Sequence, residues 1–261
     1  MPSNYAHYRF GAAVLNKMPA DLQRTVKRFR RLYDVGLHGP DLFFYYNPLQ
    51  KNRFGDLGSR MHRQTGQQFF SRVCRGLRLD PTEEAQAYLY GVLSHYSLDA
   101  RCHPFVNRQV EQGIAGHIEL ETEFDRFLLE QDGKLPPHTQ DLSGHMQLTP
   151  RERQVVARFY PGTTERAVSI GLKNMALATR AFATKSSVAR KTLLAGLGLA
   201  GKPYQAFMMT QAPNPSCCHL NEPLLACYRQ AETDFSDQLL QLSAHLTYNA
   251  PLGELFAPIF G

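Results

Sequence analysis

The chain has 261 residues, of which 43% are hydrophobic and 20% charged, ordinary values for a globular protein that buries one large core or two small ones. No apolar run approaches the roughly 20 residues that span a bilayer, and the amino-terminal MPSNYAHYRFGAAVLNK has no basic stretch followed by an apolar one, so no secretory signal is expected. A net charge of +6 weakly favours anionic partners such as phosphate esters, nucleic acid or acidic lipid, and five cysteines without framework spacing point to a reduced, cytoplasmic chain.

In chain order, Pro19 and Asp21 predict a helix that begins there and reaches about residue 34. Leu22, Val26, Phe29 and Tyr33 recur at helical spacing, so the basic residues of RTVKRFRR fall on the opposite face. That face reads as solvated, with docking to an anionic membrane surface as the minority reading. A second helix is predicted over residues 58–77, with Phe69, Phe70, Val73 and Leu77 on one side. Asp80-Pro81-Thr82-Glu83-Glu84 reads as a helix start with Asp80 as cap and acids in the first turn. Ala87, Leu89, Tyr90, Val92 and Leu93 carry this helix into His95, and Pro104 is expected to end it near His103. A helix over 114–130 and a Pro- and Gly-rich loop over 133–148 follow, then helices near 150–160, 163–185, 187–197 and 223–246. Strand-like alternation is scarce and there is no internal repeat.

The third predicted helix carries the main chemical signal. In HYSLDARCHP, His95, Asp99 and His103 stand four apart twice in succession, so they share one helix face with neighbours about 6 Å apart along the axis. His95 and Asp99 can grip one metal ion, and Asp99 and His103 the same or a second one. His95 and His103 are about 12 Å apart along the axis, too far to share a zinc whose bonds are about 2 Å long. A stripe that binds metal therefore holds more than one ion, with Asp99 in the middle.

GHIELETEFD repeats the pattern with His117 and Glu121. Earlier, GLHGPDLFFYY offers Asp41 in a Gly/Pro turn, GSRMHRQTG offers His62 and NYAHYRFG offers His7. Zinc takes imidazole nitrogen with carboxylate oxygen, and a hydrolytic site keeps a position open for water. His38 reads as structural, and His138, His145 and His245 receive no role. Phe43, Phe44, Tyr45 and Tyr46 either wall a pocket or pack in the core. Gly196-Leu-Gly198-Leu-Ala-Gly201 has dinucleotide-fingerprint spacing but no strand before it, and Cys217-Cys218-His219 lacks the paired spacing of a structural zinc site.

The order His7, Asp41, His62, His95-x-x-x-Asp99, His103-Pro104, His117-x-x-x-Glu121, with the phrases GPDLFFY and LYGVLSHYSLD, resembles the zinc-dependent phospholipase C family, which is related to single-strand nucleases of the P1 type. The resemblance covers roughly residues 5 to 130. It implies an all-helical fold around three zinc ions. By position, Asp41, His62, His95 and Asp99 would hold the first ion and His103, His117 and Glu121 the second. His7 would hold the third with Asp99 bridging, and Asp41 would act as general base. Two departures stand out. Secreted members also use the free amino terminus at the third ion, whereas here Met1 lies six residues before His7. Their spacing between the residues matching Asp99 and His103 is also longer.

The expectation is an all-α, single-domain multi-helix bundle over residues 1–261, with a metal-site half over about 1–132 and a helical packing half over about 149–261. It would hold two or three zinc ions and hydrolyse a phosphodiester, phospholipase C-like, on a phospholipid. A P1-type nuclease or nucleotidase is the enzymatic alternative, with nucleic acid as its partner. A zinc- or lipid-binding protein without turnover is the alternative of another class.

Overall fold

The computed structural model describes residues 4–261. The helices are α1 (Asn4–Leu15), α2 (Ala20–Arg28), α3 (Arg30–Gly36), α4 (Arg53–His62), α5 (Gly66–Leu79), α6 (Glu83–Glu111), α7 (His117–Gln131), α8 (Pro150–Arg158), α9 (Glu165–Phe182), α10 (Ser187–Ala200), α11 (Lys202–Gln205) and α12 (Asn221–Tyr248). Short 3₁₀ segments join them, of which Gly39–Tyr45 matters most below. Among the described residues there is no strand, only an isolated bridge between Thr65 and Ile259. The architecture is all-α, as the sequence pattern implies. No helix of the described residues is long and apolar enough to cross a membrane.

Helix α6 organises the rest. The Thr82 side chain accepts from the Ala85 N–H and two acids follow in the first turn, which satisfies an orphan donor and suits the helix dipole. From Ala87 to Ala100 every residue of α6 is buried, so the helix is apolar nearly all round and must be covered on all sides. Helices α3, α12, α1 and α2 do this. The α3 crossing is close because both contact residues are glycines: a Cβ on Gly91 would lie 2.3 Å from the Tyr33 carbonyl oxygen, and one on Gly36 2.7 Å from that of Tyr88. This backbone contact sits one turn before His95 and brings the Leu37 carbonyl to it.

Several boundaries differ from expectation, each for a local reason. Helix α6 does not stop at His103 but runs through Pro104 to Glu111. Pro104 deprives the Ala100 carbonyl of a donor, at a cost of about 3 kcal/mol. Burial of Cys102, His103, Val106 and Gln109 on both sides of it holds the helix together. The cap of α6 is Thr82, while Asp80 closes α5. The helix expected to reach residue 34 is broken at Phe29 into α2 and α3. The one expected over 58–77 is two, because Thr65 and Gln68 form a capping box that starts α5 afresh.

Helix α12 lays its length along α6 and α5 and also meets α1 and α7, while α9 packs on the 3₁₀ segment. The basic face of α2 and α3 meets acids: Arg28 bonds Glu83 at 2.8 Å, Arg31 Glu152 at 3.0 Å and Arg30 Asp34 at 2.6 Å.

Candidate metal centre

Four elements converge on the middle of α6. Helix α1 carries His7, the 3₁₀ segment carries Asp41, and α4 ends on His62. Helix α6 carries His95, Asp99 and His103, while α7 opens with His117 and carries Glu121 one turn later. Seven of these eight side chains are buried and His117 is half-buried. The structure brings all eight together as three triads whose ligand-type atoms lie within 4.8 Å of one another: His7–His95–Asp99, Asp41–His62–His95 and His103–His117–Glu121.

The distances tie the triads to each other. Asp99 lies 3.2 Å from His7 Nε2 and 3.1 Å from His95 Nε2, and 3.7 Å from His103 Nε2. His62 Nε2 is 2.9 Å from Asp41, and Glu121 is 3.3 Å from His103 Nε2 and 3.2 Å from His117 Nε2. Two atoms bonded tetrahedrally to one ion at about 2.1 Å stand about 3.4 Å apart, close to these values. Yet many of these atoms are not aligned as hydrogen bonds. Nε2 of His62, His95 and His117, Oδ1 of Asp41, Oδ2 of Asp99 and Oε2 of Glu121 are buried with no hydrogen-bond partner. Buried polar atoms left without partners in such numbers are costly unless something else satisfies them. The donor set of imidazoles and carboxylates suits zinc.

The far side of three of the five rings is held, whereas Nδ1 of His7 is buried without a hydrogen-bond partner. His62 Nδ1 donates to the Gly58 carbonyl at 2.8 Å, His95 Nδ1 to that of Leu37 at 3.2 Å and His103 Nδ1 to that of Phe260 at 3.1 Å. A proton fixed on Nδ1 leaves the Nε2 lone pair facing inward, the state a metal ligand requires.

Electrostatics follow from burial and neighbours. Burial opposes ionisation of Asp99, but His103, His95 and His7 outweigh it and hold the carboxyl below the usual range. Burial likewise opposes charge on Glu121, and His117 and His103 reverse the balance. Burial lowers His95 to about 4, only partly offset by Asp99. Burial also disfavours charge on His103, but Asp99 and Glu121 raise it to about 9.

Three features escaped the reading of the sequence. Asp125, one turn after Glu121, accepts from the Tyr5 and Ala6 N–H groups at 3.0 and 2.8 Å, which pins the start of α1 and hence His7. Burial pushes its carboxyl up to about 7. The stripe His117–Glu121–Asp125 was a legible signal for it. His38 faces His145, with Nε2 atoms 2.7 Å apart and rings stacked 4.9 Å apart, so His145 is not without contacts. The Phe260 carbonyl on His103 had no signal. The amino terminus at Met1 lies outside the described residues.

A cavity of about 590 Å³ opens onto His62, His103 and His117. Its walls are largely apolar and include Phe44, Phe182, Tyr204 and Phe207. The aromatic run after Asp41 therefore divides: Phe43 is buried against Tyr160, whereas Phe44 and Tyr45 line the cavity.

Fold and side chains together define an all-helical protein with a candidate zinc centre beneath an apolar cavity. More particularly, the chain belongs to the zinc-dependent phospholipase C family, whose model matches residues 6–169 and so spans all eight residues above. The family is zinc-dependent and hydrolytic. No curated protein and no solved structure matches the chain.

Proposed function

We propose that this protein hydrolyses the phosphodiester of a phospholipid, releasing diacylglycerol and the phosphorylated head group. The observation that carries the reading is the largely apolar cavity whose lining includes His62, His103 and His117. A phospholipid needs both parts, an apolar wall for its glyceride end and a cationic centre for its phosphate. The apolar wall favours lipid over nucleic acid.

In this reading Asp41, His62, His95 and Asp99 would hold one ion, and His103, His117 and Glu121 a second. His7 and Asp99 would hold a third, giving two or three zinc ions per chain. Zinc bound there acidifies water and draws charge from the phosphoryl oxygens. Asp41 is the general base: it takes a proton from the water that attacks phosphorus, and that proton ends on the glyceride oxygen as the P–O bond breaks. The Nδ1 contacts of His62, His95 and His103 keep the three rings from reorienting as charge develops.

The test is Asp41→Asn, assayed on phosphatidylcholine, on single-stranded nucleic acid and on a generic soluble phosphodiester. We expect wild-type turnover of the lipid, lost by at least about 100-fold in the variant with most of the zinc retained. Cleavage of nucleic acid but not lipid would support a nuclease instead. Zinc uptake with no cleavage of any substrate would support a binding protein.

A further inference from the structure

The span matched to the family ends at residue 169, yet one contact at the centre comes from residue 260. The segment after α12 turns back across the molecule to reach it. Tyr96 Oη donates to the carbonyls of Leu255 and Pro258 at 3.2 and 3.1 Å, and the Gly66 N–H donates to that of Pro258 at 3.0 Å. The Phe260 N–H then donates to Gln64 at 3.3 Å and the Gly261 N–H to the His62 carbonyl at 3.1 Å. These bonds zip the segment onto the turn that joins α4 to α5, the turn that immediately follows His62.

The Phe260 side chain is fully buried. Its ring centre lies 5.0 Å from Phe69, 4.9 Å from Tyr96 and 6.2 Å from His95. The anchor fixes the carbonyl that meets His103 Nδ1 at 3.1 Å. Gly261 then lies flat against two rings of the centre: a Cβ there would stand 2.3 Å from His103 Nδ1 and 3.1 Å from His62 Cδ2.

We propose that residues 258–261 form a strap that positions His103, with the Phe260 carbonyl fixing its ring so that Nε2 serves the His103–His117–Glu121 subsite. The contrast with the other two rings carries the argument. His62 and His95 lean on carbonyls of Gly58 and Leu37, inside the family span, whereas His103 leans on one from beyond it. Asp99 and Glu121 both approach His103 Nε2, at 3.7 and 3.3 Å, and favour a proton on that nitrogen, so the Phe260 carbonyl is what keeps the remaining proton on Nδ1 once Nε2 gives its own up. The strap thus makes one subsite of the centre depend on the carboxy-terminal segment. It rests on the metal reading above, since the ring needs a fixed tautomer only if Nε2 is a ligand.

The experiment compares zinc-loaded wild type with a chain lacking residues 259–261 and with full-length Phe260→Ala, Phe260→Leu and Gly261→Ala. Zinc affinity is measured by competition with a chromophoric chelator, and the His103 tautomer by long-range proton–nitrogen correlation. In wild type we expect His103 protonated on Nδ1. In the deletion and in Gly261→Ala we expect the zinc of the His103 subsite bound about 10- to 100-fold more weakly, with a smaller loss at the His62 subsite that Gly261 also touches, and that signature altered. Phe260→Leu keeps an apolar anchor and should restore most of what Phe260→Ala loses. If the deletion does not fold, Gly261→Ala decides, with circular dichroism to show an intact helical fold. Equal affinity at every site with an unchanged tautomer would overturn the strap. Less than one zinc in wild type would overturn the metal reading beneath it.

Discussion

The span matched to the family and the span after residue 169 meet at the same cavity but supply different things. The first supplies charge: five histidines and three carboxylates from α1 to α7, drawn together around Asp99. The second supplies no charged side chain to it among the described residues, only shape: Phe182, Tyr204 and Phe207 complete an apolar wall that Phe44, Tyr45 and Ile118 of the first span share, and a single carbonyl stands behind His103. The chemistry can thus stay fixed by short-range spacing on a few helices while the later helices set what reaches it. Substitutions in the two spans should separate accordingly.

The largest effect is expected at Asp99, which faces His7, His95 and His103 at once. Asp99→Ala leaves those rings without their shared counter-charge, and losing one partner of a buried charged set costs about 3–5 kcal/mol. Zinc analysis should find at least one ion fewer than in wild type, and thermal unfolding should occur several degrees lower. An unchanged zinc content would break the claim that the first span holds the charge.

Next comes pH. Without metal, His103 is raised to about 9, so its ring carries a proton at neutral pH that zinc must displace. Affinity at that subsite should fall as pH falls, about tenfold per unit below 9 and so about 100-fold between pH 8 and 6. Calorimetric titration in two buffers of different ionisation enthalpy would count the released proton. No proton release at pH 7 would contradict the raised value.

A smaller effect belongs to the wall. Phe207→Ala removes apolar surface facing the cavity, and kcat/KM for a long-chain phospholipid should fall about tenfold, some 1.4 kcal/mol. Turnover of a small soluble phosphodiester should stay within about twofold. Equal losses on both substrates would mean that the second span supports the centre rather than shaping the cavity. The smallest effect is expected on the basic face of α2 and α3. Arg31 is already paired with Glu152, so Arg31→Ala should cost less than about 1 kcal/mol in denaturant unfolding and leave binding to anionic vesicles unchanged.

How much was legible in the sequence follows the same division. The stripe on α6 and the pair on α7 could be read because residues four apart on a helix meet whatever the rest of the fold does. Asp125 stands on the same stripe, but its partners are backbone N–H groups of α1, which no side-chain pattern marks. Pro104 signals a helix end by its local cost, and the packing of Cys102 and Val106 that offsets it is not visible in the sequence. The breaks at Phe29 and at Thr65 depend on how short helices turn over a core, which periodicity alone does not fix. The Phe260 contact joins residues 157 apart in the chain through a main-chain oxygen, so nothing in the identity of the residues announces it.

The central claim is that zinc sits among the eight converging side chains. Crystals of protein purified without chelators, measured on both sides of the zinc absorption edge, test it most directly. The expected result is two or three anomalous peaks, one within the Asp41–His62–His95 triad and one within His103–His117–Glu121, with Asp99 between them. A map with no peak in this region, or with zinc bound only elsewhere, would contradict the account.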